Sequence, residues 1–227
     1  MANFEYAYDL SGCTYPVIRE FDIASNTVIE KGEVVKLVAG FVVAVGDTDQ
    51  DDPYLGVATE EHDGVADTMN PRANGTRIKV YCSPTAVFKC KPNVISTADS
   101  GNTTTWVDGE IVAGAGFADD DWNGGFLKVK STTALTDALD KAIRVTDFAV
   151  ATGTFTGTFT GGVTAADTAV MLPPVGSKGW DFNSDGTELD LKAKGGESIQ
   201  IVDVDTDLEL VYWKFRLHQL ASYMVAI

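Results

Sequence analysis

Basic residues are scarce in this chain: 17 Lys and Arg stand against 33 Asp and Glu, a net charge of −16 over 227 residues. Such a field repels anionic membrane, and phosphate contacts need Lys and Arg, so neither direct nucleic-acid binding nor membrane binding is expected. Histidine is scarcer still: His62 and His218 are the only two, and no HxH, HExxH or Cys–His spacing occurs. The cysteines number three, Cys13, Cys82 and Cys90, with no CxxC pair. An odd count without that motif reads as free thiols in a reducing compartment. No stretch approaches 18 apolar residues, which argues against a membrane-spanning helix. The opening "MANFEYAYDL" lacks a basic n-region and an apolar run, so it does not read as a signal peptide. Synthesis in a cytoplasm is expected, and the sequons at Asn74 and Asn102 carry no glycan there. Nucleophile elbows, SxxK pairs and Walker loops are missing, and "VGSKG" has the wrong glycine spacing. The expectation is a protein that is not an enzyme and uses no cofactor.

What the chain does contain is strand signal. Hydrophobic content of 44% with 22% charge suits a globular protein, and a chain of this size buries roughly 70% of its unfolded surface without staples. "GEVVKLVAGFVVAVGDTDQDDPYLGVATE" holds three β-branched runs, at 33–38, 41–45 and 54–59, punctuated by Gly40 and by Asp47 to Asp52. In "GTRIKVYCSPTAVFKCKP", Ile78, Val80 and Cys82 alternate with Arg77, Lys79 and Tyr81, and residues 86–91 return as a second strand. Two more strands are expected in "WVDGEIVAG" and "GGFLKVKS", whereas 93–105 reads as loop. Residues 134–145, "ALTDALDKAIRV", are the one helix candidate, with Leu135, Leu139 and Ile143 at i, i+4 and i+8 and an Asp137–Lys141 pair.

Beyond it the composition shifts. "TGTFTGTFTGG" repeats Thr-Phe-Thr-Gly; as a strand it puts Phe155, Gly157, Phe159 and Gly161 on one face and threonines on the other. Its glycines allow close approach of another chain. Trp180 and Phe182 lead into an Asp185-Gly186 hairpin signal, and 199–202 and "LELVYWKFRL" close a second all-β unit. The expected organisation is all-β: an N-terminal arm at 1–15, a small β-barrel-like domain at 16–131, a linker with a short helix at 132–150, and a C-terminal β-sandwich or β-hairpin domain at 151–227.

Three clusters look like chemistry. In "LGVATEEHDG", His62 stands among Glu60, Glu61 and Asp63, but neighbours in a strand alternate sides and cannot converge on one ion. A structural or surface role for His62 is expected. Asp181, Asn183, Asp185 and Gly186 match the start of a calcium loop, yet position twelve is Lys192 rather than Glu, so a plain hairpin is expected. The run Asp47, Asp49, Asp51 and Asp52 reads as a solvated loop.

Two surface features point to a partner. Arg72, Arg77, Lys79, Lys89 and Lys91 gather five of the 17 bases within 20 residues, a basic stripe suited to an acidic protein surface if their strands are adjacent. Phe4, Tyr6 and Tyr8 alternate at the start, and an aromatic arm outside the core suits strand addition or a partner groove. These eight residues are the candidate interface.

Residues 16–91 resemble the capsid cement, or head decoration, proteins of tailed bacteriophages. The resemblance is carried by "IEKGEVVKLVAGFVVAV", "DPYLGVATEEHDG" and "GTRIKVYCSPTAVFKC": a strand pair, then Pro-x-x-Gly-Val-Ala, a polar turn ending in Gly, and another strand pair. "AADTAVMLPPVGSKGWDFNSDGTELDL" is similar to the small β-domains of phage virion proteins, and the two together cover about two-thirds of the chain. The resemblance implies a protein of the virion surface, made in the host cytoplasm, that binds the outside of an assembled head. Its partner would be the major capsid protein, whose neighbouring subunits it clamps, often as a homotrimer on a local threefold axis. It implies no cofactor and no catalytic residues. Other expectations are a head fibre, tail tube or tail fibre component, and a carbohydrate-binding β-module that would use Trp106, Trp122 or Trp180 as a stacking platform.

Overall fold

A computed structural model describes residues 3–12, 15–23, 27–46, 53–64, 77–92, 95–112, 116–132, 139–183, 186–195 and 199–216. The fold is all-β; the described residues form five sheets, and the strands are numbered in chain order. A six-stranded sheet runs β1 (Glu5–Asp9), β9 (Ala86–Cys90), β21 (Leu210–Phe215), β20 (Ile199–Asp205), β18 (Lys178–Phe182) and β19 (Leu189–Lys194). A five-stranded sheet runs β2 (Ile18–Asp22), β8 (Arg77–Tyr81), β6 (Gly56–Ala58), β4 (Val34–Val38) and β5 (Phe41–Ala44). One four-stranded sheet holds β10 (Ile95–Thr97), β17 (Thr168–Leu172), β13 (Phe126–Ser131) and β14 (Ala142–Arg144). The other holds β11 (Ser100–Gly101), β12 (Thr105–Val107), β16 (Thr154–Thr156) and β15 (Asp147–Ala149). A short ladder joins β3 (Val28–Ile29) to β7 (His62–Asp63).

None of these sheets closes into a barrel. The five-stranded sheet meets its own far edge at one point, an isolated parallel bridge between Ile23 and Val42. Its central strand β6 is buried on both faces, whereas β8 alternates buried Ile78 and Val80 with exposed Arg77 and Lys79, and β2 at the edge is mostly exposed. Val34 and Val57 face the main core, while Val35, Ala58, Ile78 and Val80 face a second, smaller one. At the tip of β4–β5 both turn residues are left-handed, Ala39 at φ 51° and Gly40 at φ 89°, which is the backbone a two-residue hairpin requires.

Strand pairing does not follow the expected division at 132–150. The six-stranded sheet joins residues 5–9 and 86–90 directly to 178–215, and β12 pairs with β16 across the same boundary. Polar strands at 95–97 and 100–101 also occupy the expected loop. The main core is correspondingly continuous from Phe4 to Phe215 and contains all four tryptophans at 0% exposure. Their burial removes Trp106, Trp122 and Trp180 as a sugar-stacking platform.

The linking helix is a further correction. Residues 133–138 lie outside the described residues, and 139–145 are not helical. Leu139 and Asp140 form a turn, and Ala142–Arg144 is β14, paired antiparallel with Phe126–Lys128. A strand partner satisfies these amides better than a short isolated helix would. The one helical element among the described residues is a 3₁₀ turn at Val150–Thr152.

Candidate partner interface

The N-terminal arm is not outside the core. Phe4 is 4% exposed, with its ring centroid 4.6 Å from that of Trp213 and 5.5 Å from that of Phe182. It is a packing residue, and the interface reading does not hold for it. Tyr6 pairs opposite Phe88 and stacks on Tyr81 at 5.3 Å, facing inward and half-buried. A register shift between Tyr6 and Tyr8 breaks the expected alternation. Tyr8 then pairs opposite Val87, on the same outer face as Lys89 and its partners Glu5 and Tyr212. Tyr8 is exposed, 6.3 Å from Tyr212. Partial burial, then the Asp203 carboxylate and Tyr212, push its phenol pKa up, so it remains a hydrogen-bond donor.

Two shallow grooves meet at Lys89. One, about 620 Å³, is lined by Tyr6, Tyr8, Tyr212, Asp203 and Asp205. The other, about 570 Å³, is lined by Phe4, Glu5, Lys31, Lys91 and Leu210. Lys89 faces Glu5 across the strand pair at 3.3 Å, while Lys31 and Lys91 make no ion pair with a described residue. Lys31 is the member that sequence reasoning missed. It lies far from Lys91 in the chain and arrives because the Phe4 amide donates to the Gly32 carbonyl at 3.2 Å.

The rest of the expected basic stripe is elsewhere. Arg77 and Lys79 lie on β8, in a different sheet from β9. Arg77 is held by Asp22 at 3.1 Å and Lys79 by Glu60 at 3.6 Å, both in exposed pairs. Arg72 lies outside the described residues.

A buried carboxylate pins β1 in place. Asp9 accepts hydrogen bonds from the Ser11 amide (2.8 Å) and from the hydroxyls of Ser11 (2.6 Å), Ser83 (2.5 Å) and Thr85 (2.5 Å). Burial alone would raise the Asp9 pKa, but the hydrogen bonds from Ser11, Ser83 and Thr85 outweigh it and lower it to about 2. A carboxyl lowered on folding stabilises the fold above its unfolded pKa, and that contribution is lost as pH falls through the folded value. We expect wild-type stability to drop by about 2 kcal/mol between about pH 4 and pH 2 from this group. Asp9→Asn should lose a similar amount at neutral pH and show a flatter acid limb in urea titrations at several pH values.

The remaining clusters are structural. His62 is buried, with Nδ1 2.9 Å from the Thr27 carbonyl oxygen and 3.1 Å from the Gly64 amide nitrogen. Glu60 is committed to Lys79. In the hairpin after β18, Asn183 Oδ1 accepts from the Thr187 and Glu188 amides; Asp185 and the run Asp47 to Asp52 lie outside the described residues. Among the described residues no group of three or more His, Cys, Asp or Glu is placed to hold a metal ion. Cys82 and Cys90 are buried free thiols, their pKa values pushed up to about 12 by burial. Thiols so protonated are poor nucleophiles. No protein family, curated protein or solved structure matches the chain.

Proposed function

We propose that this chain is a structural virion protein that binds and stabilises the assembled capsid shell of a tailed bacteriophage. It docks on the major capsid protein as a homo-oligomer, with a trimer favoured, and takes no cofactor. The reading rests on the resemblance at 16–91, and one structural observation carries the docking face. Lys31, Lys89 and Lys91 line one groove, which adjoins at Lys89 a second lined by the exposed Tyr8 and the half-buried Tyr212, in a chain of net charge −16. Local positive charge on an acidic molecule selects an acidic protein surface and orients the encounter. Tyrosines at the same place supply contact area with a polar tip, as interface cores favour.

Expanded empty heads are the test partner. Wild-type protein should co-sediment with them and should be oligomeric by analytical ultracentrifugation. The double reversal Lys31→Glu/Lys91→Glu should weaken head binding at least about tenfold with the melting temperature unchanged, because like charges facing across an interface cost several kcal/mol. Binding equal to wild type would remove this face from the proposal. A protein that ignores heads and adds to tail tubes would move the reading to a tail component.

A further inference from the structure

The Thr-Phe-Thr-Gly repeat takes no part in the proposed docking face at Lys89. Its phenylalanines are spent on the core: Phe155 and Phe159 are fully buried. Its later threonines, Thr158 and Thr160, are exposed on the opposite face and line a cleft of about 630 Å³. The other wall is β14 and its flanks, with Lys141, Arg144 and Thr146.

The cleft exists because two sheets come close at one glycine. β14 is the edge strand of its sheet, and residues 157–159 extend the sheet of β16 by donating amides to the Thr104 (3.0 Å) and Thr103 (2.9 Å) carbonyls. A Cβ at Gly157 would sit 3.1 Å from both the Arg144 carbonyl oxygen and Ile143 Cγ2. The repeat's glycine therefore does admit close approach, but of this chain's own β14.

The chemistry of the lining is selective. Acids outnumber bases 33 to 17 in the chain, yet the charged side chains of this lining, Lys141 and Arg144, are both cationic. Neither makes an ion pair with a described residue, and the nearby Asp140 is taken by Lys130 at 2.9 Å. The hydroxyls of Thr158 and Thr160 add short donors that need no charge, whereas the Thr146 hydroxyl already donates to the Thr156 carbonyl at 3.2 Å. Among the described residues no aromatic ring lines the cleft, so a neutral sugar finds no stacking surface on them. A guanidinium, an ammonium and hydroxyls together suit a tetrahedral oxyanion, which Arg grips bidentately. The volume is in the range of small-ligand sites and exceeds what a bare ion fills.

We infer that the cleft between β14 and the Thr-Phe-Thr-Gly repeat binds a phosphate or sulfate ester carried on a small polar body, with Lys141 and Arg144 on the oxyanion and Thr158 and Thr160 as hydroxyl donors. This inference stands apart from the docking face at Lys89. The test is a ¹⁵N NMR titration of the full-length protein with inorganic phosphate, sodium sulfate and glucose 6-phosphate, with sodium chloride as the ionic-strength control. Shifts should be confined to residues 141–146 and 157–160, with glucose 6-phosphate binding at least about threefold tighter than inorganic phosphate. Inorganic phosphate binding as tightly as the ester would overturn the ester assignment. Lys141→Ala/Arg144→Ala should weaken ester binding at least about tenfold, and Thr158→Val/Thr160→Val about threefold. Arg144→Lys keeps the charge and the fold, and should still lose several-fold if the guanidinium grips the oxyanion. Shifts reproduced by sodium chloride, or full binding in the double-alanine variant, would overturn the inference.

Discussion

Trp213→Ala should cost about 3–5 kcal/mol, the largest single loss expected from a side-chain truncation in this molecule. The indole is fully buried where the N-terminal arm meets the C-terminal strands. Ring centroids of Phe4 (4.6 Å), Phe215 (5.0 Å), Phe88 (5.2 Å) and Phe182 (5.2 Å) surround it, mostly in edge-to-face or tilted contacts. Those four rings come from β21, β9, β18 and the arm, so the cavity cannot be filled by one strand relaxing. Total stability of a domain is typically about 5–15 kcal/mol, so the variant should be largely unfolded at modest denaturant. Guanidinium titration followed by far-ultraviolet circular dichroism measures the loss. Tyr15→Ala is the control: Tyr15 is 82% exposed, and its truncation should stay within about 0.5 kcal/mol. Equal losses at the two positions would mean that the aromatic cluster is not the centre of stability.

Lys128→Met should cost about 3 kcal/mol although it removes only a charge and leaves the stem. Lys128 rises from β13 into the turn between β20 and β21, its side chain 9% exposed. The ammonium donates to the Thr206 (3.0 Å) and Asp207 (2.9 Å) carbonyls and lies 3.1 Å from the Glu209 carboxylate. That turn carries Asp205, Asp207 and Glu209 within five residues. Two lysines from another sheet, Lys128 and Lys130, share the Glu209 carboxylate, while Asp205 caps the turn by accepting from the Asp207 and Leu208 amides. Removing the Lys128 ammonium leaves a buried apolar end against two part-buried carbonyls that lose their donor, the costly side of the hydrogen-bond asymmetry. Glu209→Gln should be milder, because both carbonyls still hold the ammonium. The Glu209 pKa lies below the usual carboxylate value, first through its hydrogen bond from Lys130 and then, against burial, through Lys128. In Lys128→Met the carboxyl should therefore move up only part of the way, which a pH titration of the Glu209 side-chain carbon by NMR will read. A full return to the ordinary value would show Lys130 to be unimportant.

Much of the secondary structure was legible. Period-two alternation located β8, and Gly or Asp punctuation separated β4, β5 and β6. Partners were not legible, because alternation says which face is buried and not what covers it. β9 looks like half of a hairpin with β8, yet Ser83-Pro84-Thr85 sends it into another sheet, against β1 and β21. The helix expectation failed for a similar reason. Leu139 and Ile143 have helical spacing, but Leu139 is exposed and Ile143 pairs with Leu127. β10 escaped notice because its central residue is polar: Ser96 is buried, accepting from Trp106 Nε1 at 2.9 Å and donating to Asp108 at 2.7 Å. At the candidate interface, Lys89 and Lys91 were visible as a charge run. Phe4 and Tyr8 took opposite fates because one register shift, invisible in the residue types, turns the arm over.

The six-stranded sheet also sets a schedule for synthesis. Its first two members, β1 and β9, are complete once residue 90 has left the ribosome, but their next neighbour begins at Leu210. At about 5–20 residues per second, the exposed side of β9 waits for roughly 6–24 s. During that wait Phe88 has no Trp213 to cover it, and the β9 edge has no partner. The nascent chain is therefore most open to mispairing with its neighbours on the same messenger while residues 91 to 209, about half of the chain, are being made. A slower ribosome lengthens that window, so soluble yield should fall when rare codons are placed between residues 91 and 209.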